Sequence, residues 1–169
     1  MRRRELPGGI PPPTKTELKR RAEAVQALAD RLIAAPAELV EALELPDKLA
    51  DAVALARRLA GGGALVRQRQ FVAKLMRGLE LDPIRDALDA AADAARLDAA
   101  RFRRAERWRD RLVAGGEQAV GEFAIEVSAD GVRLARLVGE ARAEARSGSP
   151  AGAGRRLFRF VQEALSRAD

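Results

Sequence analysis

The chain of 169 residues contains no cysteine, no histidine and no tyrosine. Those absences exclude disulfides, thiolate nucleophiles, the usual zinc sites and imidazole acid–base catalysis, and with them most enzyme classes. Serine occurs only at Ser128, Ser147, Ser149 and Ser166, each near an expected helix boundary or end, and none lies in a Gly-x-Ser-x-Gly elbow. β-Branched and aromatic residues are sparse and never alternate over a useful length; residues 123–127 are the one strand-like stretch, and helical surroundings outweigh it. No run approaches the ~18 consecutive apolar residues of a membrane-spanning helix. After Met1-Arg-Arg-Arg4, where a signal peptide places its apolar segment, the chain has Pro7-Gly-Gly-Ile-Pro-Pro-Pro13. The expectation is a soluble, cytoplasmic protein with no membrane partner, no cofactor, no metal and no small-molecule substrate.

Carboxylates do cluster, at Glu80/Asp82 and at Asp86/Asp89/Asp93, and such groups can hold magnesium or act as acid and base. A magnesium-dependent nuclease is therefore one rival reading, although arginines stand near each acid and favour helix-surface counterions. Gly61-Gly-Gly63 has neither the preceding strand nor the Gly-Lys-Ser/Thr ending of a phosphate-binding loop, and reads as a helix breaker.

What remains is a pattern of helices. Residues 1–13 are expected to form a disordered, basic, proline-rich leader. Thr16 is the expected N-cap of a first helix to about Ile33, burying Leu18, Val25, Leu28 and Leu32. A short helical turn over 37–43 follows. Pro46 is expected at the first position of the next helix, which ends near Ala60 before the glycines. A basic helix then runs to about Gly78. Asp82-Pro83 restarts the chain into a long helix to about Ala114, with Ile84, Leu88, Ala91, Ala95, Phe102, Ala105 and Leu112 spaced as a bundle seam. Gly115-Gly116 stops it, and shorter helices are expected over 117–127, 130–146 and 153–167, with a loop over 147–152. The fold class is all-α: an elongated, two-lobed helical protein with an N-terminal helical domain over 14–80 and a C-terminal helical bundle over 81–169.

Thirty-one Lys and Arg against twenty-five Asp and Glu leave a net charge of +6, with a sequence pI near 10.8. Arginine supplies nearly all the cations, and its planar, permanently charged fork suits phosphates and base faces. The charge is patterned as well as abundant. At about 100° per residue, Arg67, Gln70, Lys74 and Arg77 fall on one stripe of their helix, opposite Leu65, Val72, Leu75 and Leu79. No acid lies between Gly61 and Leu79. Such a stripe fits a phosphate backbone, with the glutamine free to reach sugar or base edges; it also fits an ordinary solvated surface. Arg101, Arg103, Arg104, Arg107, Arg109 and Arg111 crowd the end of the long helix, around a Trp108 that reads as a core anchor beside Ala105 and Leu112. In the last helix Arg155, Arg159 and Gln162 share a face, with Leu157, Phe158, Val161 and Leu165 mostly on another.

Five segments carry a family resemblance: Lys15-Thr-Glu-Leu-Lys-Arg-Arg-Ala22, Arg67-Gln-Arg-Gln-Phe-Val-Ala-Lys-Leu-Met-Arg77, Asp82-Pro-Ile-Arg-Asp-Ala-Leu88, Trp108-Arg-Asp-Arg-Leu112 and Arg155-Arg-Leu-Phe158. In this order and at these separations, over about residues 14–166, the chain resembles the YjgA/DarP family of bacterial ribosome-associated proteins. The chain departs from the family pattern at Ala29 and Ala73, where glycine is expected, at Arg103, where histidine is common, and in its basic rather than acidic start.

The resemblance implies a non-enzymatic ribosome biogenesis factor that binds the precursor of the large (50S) subunit through its 23S rRNA and assists late maturation around the peptidyl transferase centre. Carried over position by position, it implies RNA contacts at Lys15, Lys19, Arg20, Arg67, Gln70, Lys74, Arg77, Arg85, Arg109, Arg155 and Arg156. Arg85 and Arg109 suit intramolecular ion pairs equally well. On this reading separate cationic faces clamp RNA segments distant in sequence. The alternative is a helical protein–protein adaptor that does not touch RNA, its charge serving solubility.

Overall fold

The computed structural model describes residues 13–148 and 151–168, so the expected leader over 1–13, apart from Pro13, lies outside the described residues, as do Ser149 and Pro150 of the expected loop. The described residues form helices α1 (Lys15–Ala34), α2 (Ala37–Ala42), α3 (Asp47–Arg58), α4 (Gly62–Met76), α5 (Asp82–Val127), α6 (Gly131–Ser147) and α7 (Ala153–Ala168), with no strand among them. The fold is all-α. The described residues gather into two compact units that divide between Ala92 and Asp93, within α5.

In the first unit α1, α3 and α4 pack on one another. Their apolar faces supply Leu28, Leu32 and Ile33, then Leu49, Val53 and Ala56, then Val72 and Met76, and the start of α5 adds Ile84 and Leu88. Full burial of each large aliphatic side chain contributes about 1.5–3 kcal/mol. Ala29 and Ala73, the two departures from glycine, are buried in this core, and a methyl group there keeps better helix propensity than glycine. Side chains also tie the helices together through backbone carbonyls. The Arg57 guanidinium donates to the C=O of Ile33 (2.9 Å) and of Ala35 (2.5 Å) at the end of α1, and Gln68 on α4 donates to the C=O of Ala52 on α3 (3.0 Å).

The start of α1 corrects one expectation. Its N-cap is Thr14, whose hydroxyl accepts from Glu17 N–H (3.2 Å) while the Glu17 carboxylate accepts from Thr14 N–H (2.6 Å), a reciprocal capping box. Thr16 lies within the helix. The helix begins well before it meets its neighbours, because residues 15–24 are all exposed, and Leu18 is 53% accessible rather than buried. Pro46 stands at the N-cap of α3, one position earlier than expected.

The second unit is built on a reversal. Gly116, inside α5, has φ 59° and ψ −132°, a conformation essentially reserved for glycine, and the Arg142 guanidinium lies where a β-carbon would be. Partners on either side pair antiparallel about this point: Trp108 meets Phe123 edge-to-face at 5.0 Å, Arg104 pairs with Glu126 at 3.0 Å, and Arg111 pairs with Glu122. The part of α5 before Gly116 that lies in this unit and residues 117–127 are thus two arms of a helical hairpin, closed on its inner side by Ala105, Leu112, Val120 and Val127. α6 and α7 complete the bundle with Leu134, Leu137, Val138, Leu157, Val161 and Leu165. Asp130 caps α6 by accepting from Arg133 N–H (3.0 Å). The expected seam is interrupted: Ala95 is exposed and Phe102 is 47% accessible.

The start of α7 is held by an acid from α6. The Glu144 carboxylate accepts from Gly152 N–H (2.7 Å) and Gly154 N–H (2.8 Å), satisfying donors that a helix leaves open in its first turn. These backbone bonds, that from Gly154 foremost and then that from Gly152, hold the Glu144 carboxyl below its ordinary value near 4.5.

Candidate nucleic-acid interface

In the first unit, packing sends the apolar side of α4 inward and leaves the opposite side in solvent. Arg67, Gln70, Lys74 and Arg77 are all exposed. None of the three cations has an ion pair among the described residues. The remaining cation of the helix, Arg69, is drawn aside by Asp30 at 3.4 Å. A single surface ion pair contributes only about 0–1 kcal/mol, so the contrast is one of availability rather than stability. Three unspent positive groups on one face, without an acid in the segment, make a surface that attracts a polyanion and repels no part of it.

The exposed beginning of α1 adds Lys15, Lys19 and Arg20. Lys19 reaches Glu23 at 3.8 Å, with both side chains largely in solvent, while Lys15 and Arg20 have no ion pair among the described residues. Arg85 differs. Its guanidinium is engaged by the Asp82 carboxylate one turn earlier. The same contact accounts for one of the acids that a metal-dependent reading would need, and Asp89 is bound by Arg31 at 2.6 Å. Among the described residues no three acids converge where they could hold a metal ion.

In the second unit the arginine cluster of α5 is largely neutralised. Arg104 and Arg111 pair across the hairpin, Arg101 lies 4.0 Å from Asp98, and Arg109 binds Asp110 at 2.7 Å. Arg103 and Arg107 point into solvent without an ion pair among the described residues. Trp108 is a core residue, 7% accessible, with the Arg111 guanidinium 4.8 Å from its ring centre. On α7, Arg156 is engaged by Glu140 (3.0 Å) and the C=O of Ala151 (3.2 Å), whereas Arg155 and Arg159 are exposed and unpaired among the described residues.

Arg109, Arg155 and Arg159 line an open cleft of about 940 Å³ between α5, α6 and α7, together with Phe102, Phe158 and Glu144. The two phenylalanines meet edge-to-face at 5.2 Å. Arg109 and Arg155 thus line one cleft whereas Arg156 does not, and of these three expected contacts only Arg155 offers an unengaged charge. Arg159, which the sequence placed on the same face as Arg155 but not among the RNA contacts, lies in this cleft, and the residue that sequence reasoning did not single out is Phe71 on α4, whose ring is 47% accessible beside Arg67 and Lys74.

The profile of the dual-action ribosomal maturation protein DarP matches residues 11–162. A protein of that description from Thiobacillus denitrificans is 39% identical over 153 residues, spanning 90% of this chain and 87% of its own. One from Methylobacillus flagellatus is 37% identical over 155 residues, spanning 91% and 86%. The aligned stretch takes in both units and every cationic position described above, and the chain belongs to the DarP family of dual-action ribosomal maturation proteins.

Proposed function

We propose that this protein is a ribosome biogenesis factor that works by binding rather than catalysis, docking on the precursor of the large (50S) subunit through 23S rRNA and promoting late maturation around the peptidyl transferase centre. The observation that carries the reading is the acid-free face of α4, where Arg67, Lys74 and Arg77 are exposed and unpaired in a member of a ribosomal maturation family. Cations of this kind bind phosphates without regard to base sequence, and the side chains of a helix cannot read the deep, narrow major groove of A-form RNA. Recognition then rests on where RNA places its phosphates and on unpaired segments. The exposed start of α1 and the Arg155/Arg159 side of α7 supply further contacts, so that RNA stretches distant in sequence are held at once.

A cytoplasmic location goes with this role; among the described residues no helix is long and apolar enough to cross a membrane. The experiment is sedimentation with large-subunit precursors on sucrose gradients, comparing the wild type with the Arg67→Glu/Lys74→Glu/Arg77→Glu variant. The reading predicts that the variant, folded by circular dichroism, leaves the precursor fraction. Unchanged co-migration removes the α4 face from the account and favours the protein–protein adaptor.

A further inference from the structure

Four of the five phenylalanines have a defined partner. Phe123 packs on Trp108, Phe102 on Phe158, the Arg109 guanidinium lies 5.8 Å from the ring centre of Phe158, and that of Arg133 lies 5.2 Å from that of Phe160. Among the described residues Phe71 is the one phenylalanine with neither a ring nor a guanidinium against it, and it belongs to neither core. A single exposed apolar side chain is ordinary on a protein surface. What surrounds this one is not. Phe71 follows Arg67 by four residues and precedes Lys74 by three, which puts it about 40° and 60° around the helix from them. Neighbours at those spacings have β-carbons about 5–6 Å apart. Both cations lie on the same side of it around the helix, so an open ring stands between two unspent cations along the axis, flanking the line that joins them, and no acid lies in the segment.

Resting on the reading that the α4 face binds RNA, we propose that Phe71 is a stacking platform for an unpaired RNA base, with Arg67 and Lys74 holding the phosphates on either side of it. The argument is one of shape and charge together. A base in a duplex has both faces covered by its stacked neighbours and offers nothing to a protruding ring. A base in a loop, bulge or single strand offers a free face, and proteins that bind such segments combine a cationic track with aromatic side chains. The cations alone would accept a duplex and a single strand alike; the ring makes the surface prefer RNA that is locally unpaired. For an assembly factor the consequence is a sensor of incomplete folding, bound to a segment while its bases are free and released when they pair.

The test uses the full chain, a short single-stranded oligoribonucleotide carrying 2-aminopurine, and the duplex formed with its complement, at one fixed salt concentration. Phe71→Ala is expected to weaken single-strand binding roughly 5- to 150-fold, the effect of losing one stacked base, while duplex affinity stays within about twofold. Phe71→Trp should retain single-strand binding and quench the 2-aminopurine, whereas Phe71→Leu, apolar but without a π face, should fail as alanine does. Arg67→Gln/Lys74→Gln should weaken both RNAs. Equal affinity of the wild type and Phe71→Ala for the single strand, or parallel losses on both RNAs, overturns the stacking role and leaves the RNA-binding reading intact. Binding of neither RNA by the wild type removes both.

Discussion

Neutralising the unspent cations of α4 separates a phosphate-binding surface from a merely solvated one. Each phosphate neutralised by a protein cation releases condensed counterions, and the logarithm of the affinity falls with that of salt by about 0.7 per contact on single strands and about 0.9 on duplex. With Arg67, Lys74 and Arg77 each free of an internal partner, three contacts contribute about 2.1–2.7 to the slope. Arg67→Gln/Lys74→Gln/Arg77→Gln should therefore lower the slope by that amount. The advantage of the wild type over the variant should shrink roughly 20- to 40-fold between about 50 and 200 mM salt. Fluorescence anisotropy with an rRNA fragment over that salt range measures it. Arg85→Gln is the internal control: its guanidinium is engaged by Asp82, and its loss should change the slope by far less than one contact. A folded triple variant with the wild-type slope, or an Arg85→Gln effect as large as a third of the triple, would refute the reasoning.

Three further outcomes follow from the packing. Phe123 is fully buried against Trp108, so Phe123→Ala should cost about 3–5 kcal/mol in urea unfolding; a loss below about 1 kcal/mol would mean the second core is not built as described. One substitution should act with opposite signs at two glycines: Gly116→Ala, at φ 59° under the Arg142 guanidinium, should destabilise by about 1–3 kcal/mol. Gly139→Ala, in the exposed interior of α6 with nothing near its β-carbon position, should stabilise by about 0.5–1 kcal/mol in the same assay. Because backbone donors hold the Glu144 carboxyl below about 4.5, its contribution is complete above that pH and is lost as pH falls through the lower folded-state value. Glu144→Gln should melt below the wild type at neutral pH, and the gap should close on acidification; a constant gap in melting temperature from neutral to acidic pH would show that the carboxylate charge does not matter.

The helices were legible because apolar spacing near 3.6 dominates this chain, and Trp108 was legible as core because Ala105 and Leu112 share its side. What escaped depended on contacts that local windows do not contain. Thr14 and Glu17 carry the capping-box spacing, but Thr16 stands closer to the first apolar residue and drew the boundary inward. Leu18 has the right phase to be buried and remains exposed, since no neighbouring helix extends that far along α1. The acids that neutralise Arg104 and Arg111 lie 22 and 11 residues away, beyond a reversal that Gly115-Gly116 announced only as a stop. The cationic stripe of α4 could be drawn on a helical wheel, but its freedom from partners could not be read from the acid-free segment, since Arg69 of the same helix is paired by Asp30 of α1. Phe71 could have been placed on the same wheel; an aromatic beside Val72 invites assignment to the core, and only its exposure shows otherwise.

Among the described residues neither core contains a buried polar or charged side chain. Cohesion of the protein and the polyanion binding proposed for it thus draw on different physics, and a kosmotropic salt acts on them in opposite directions: ammonium sulfate tightens apolar burial while it displaces phosphate contacts. A wash with it should elute an intact chain that regains its target on dilution, with no refolding step in between.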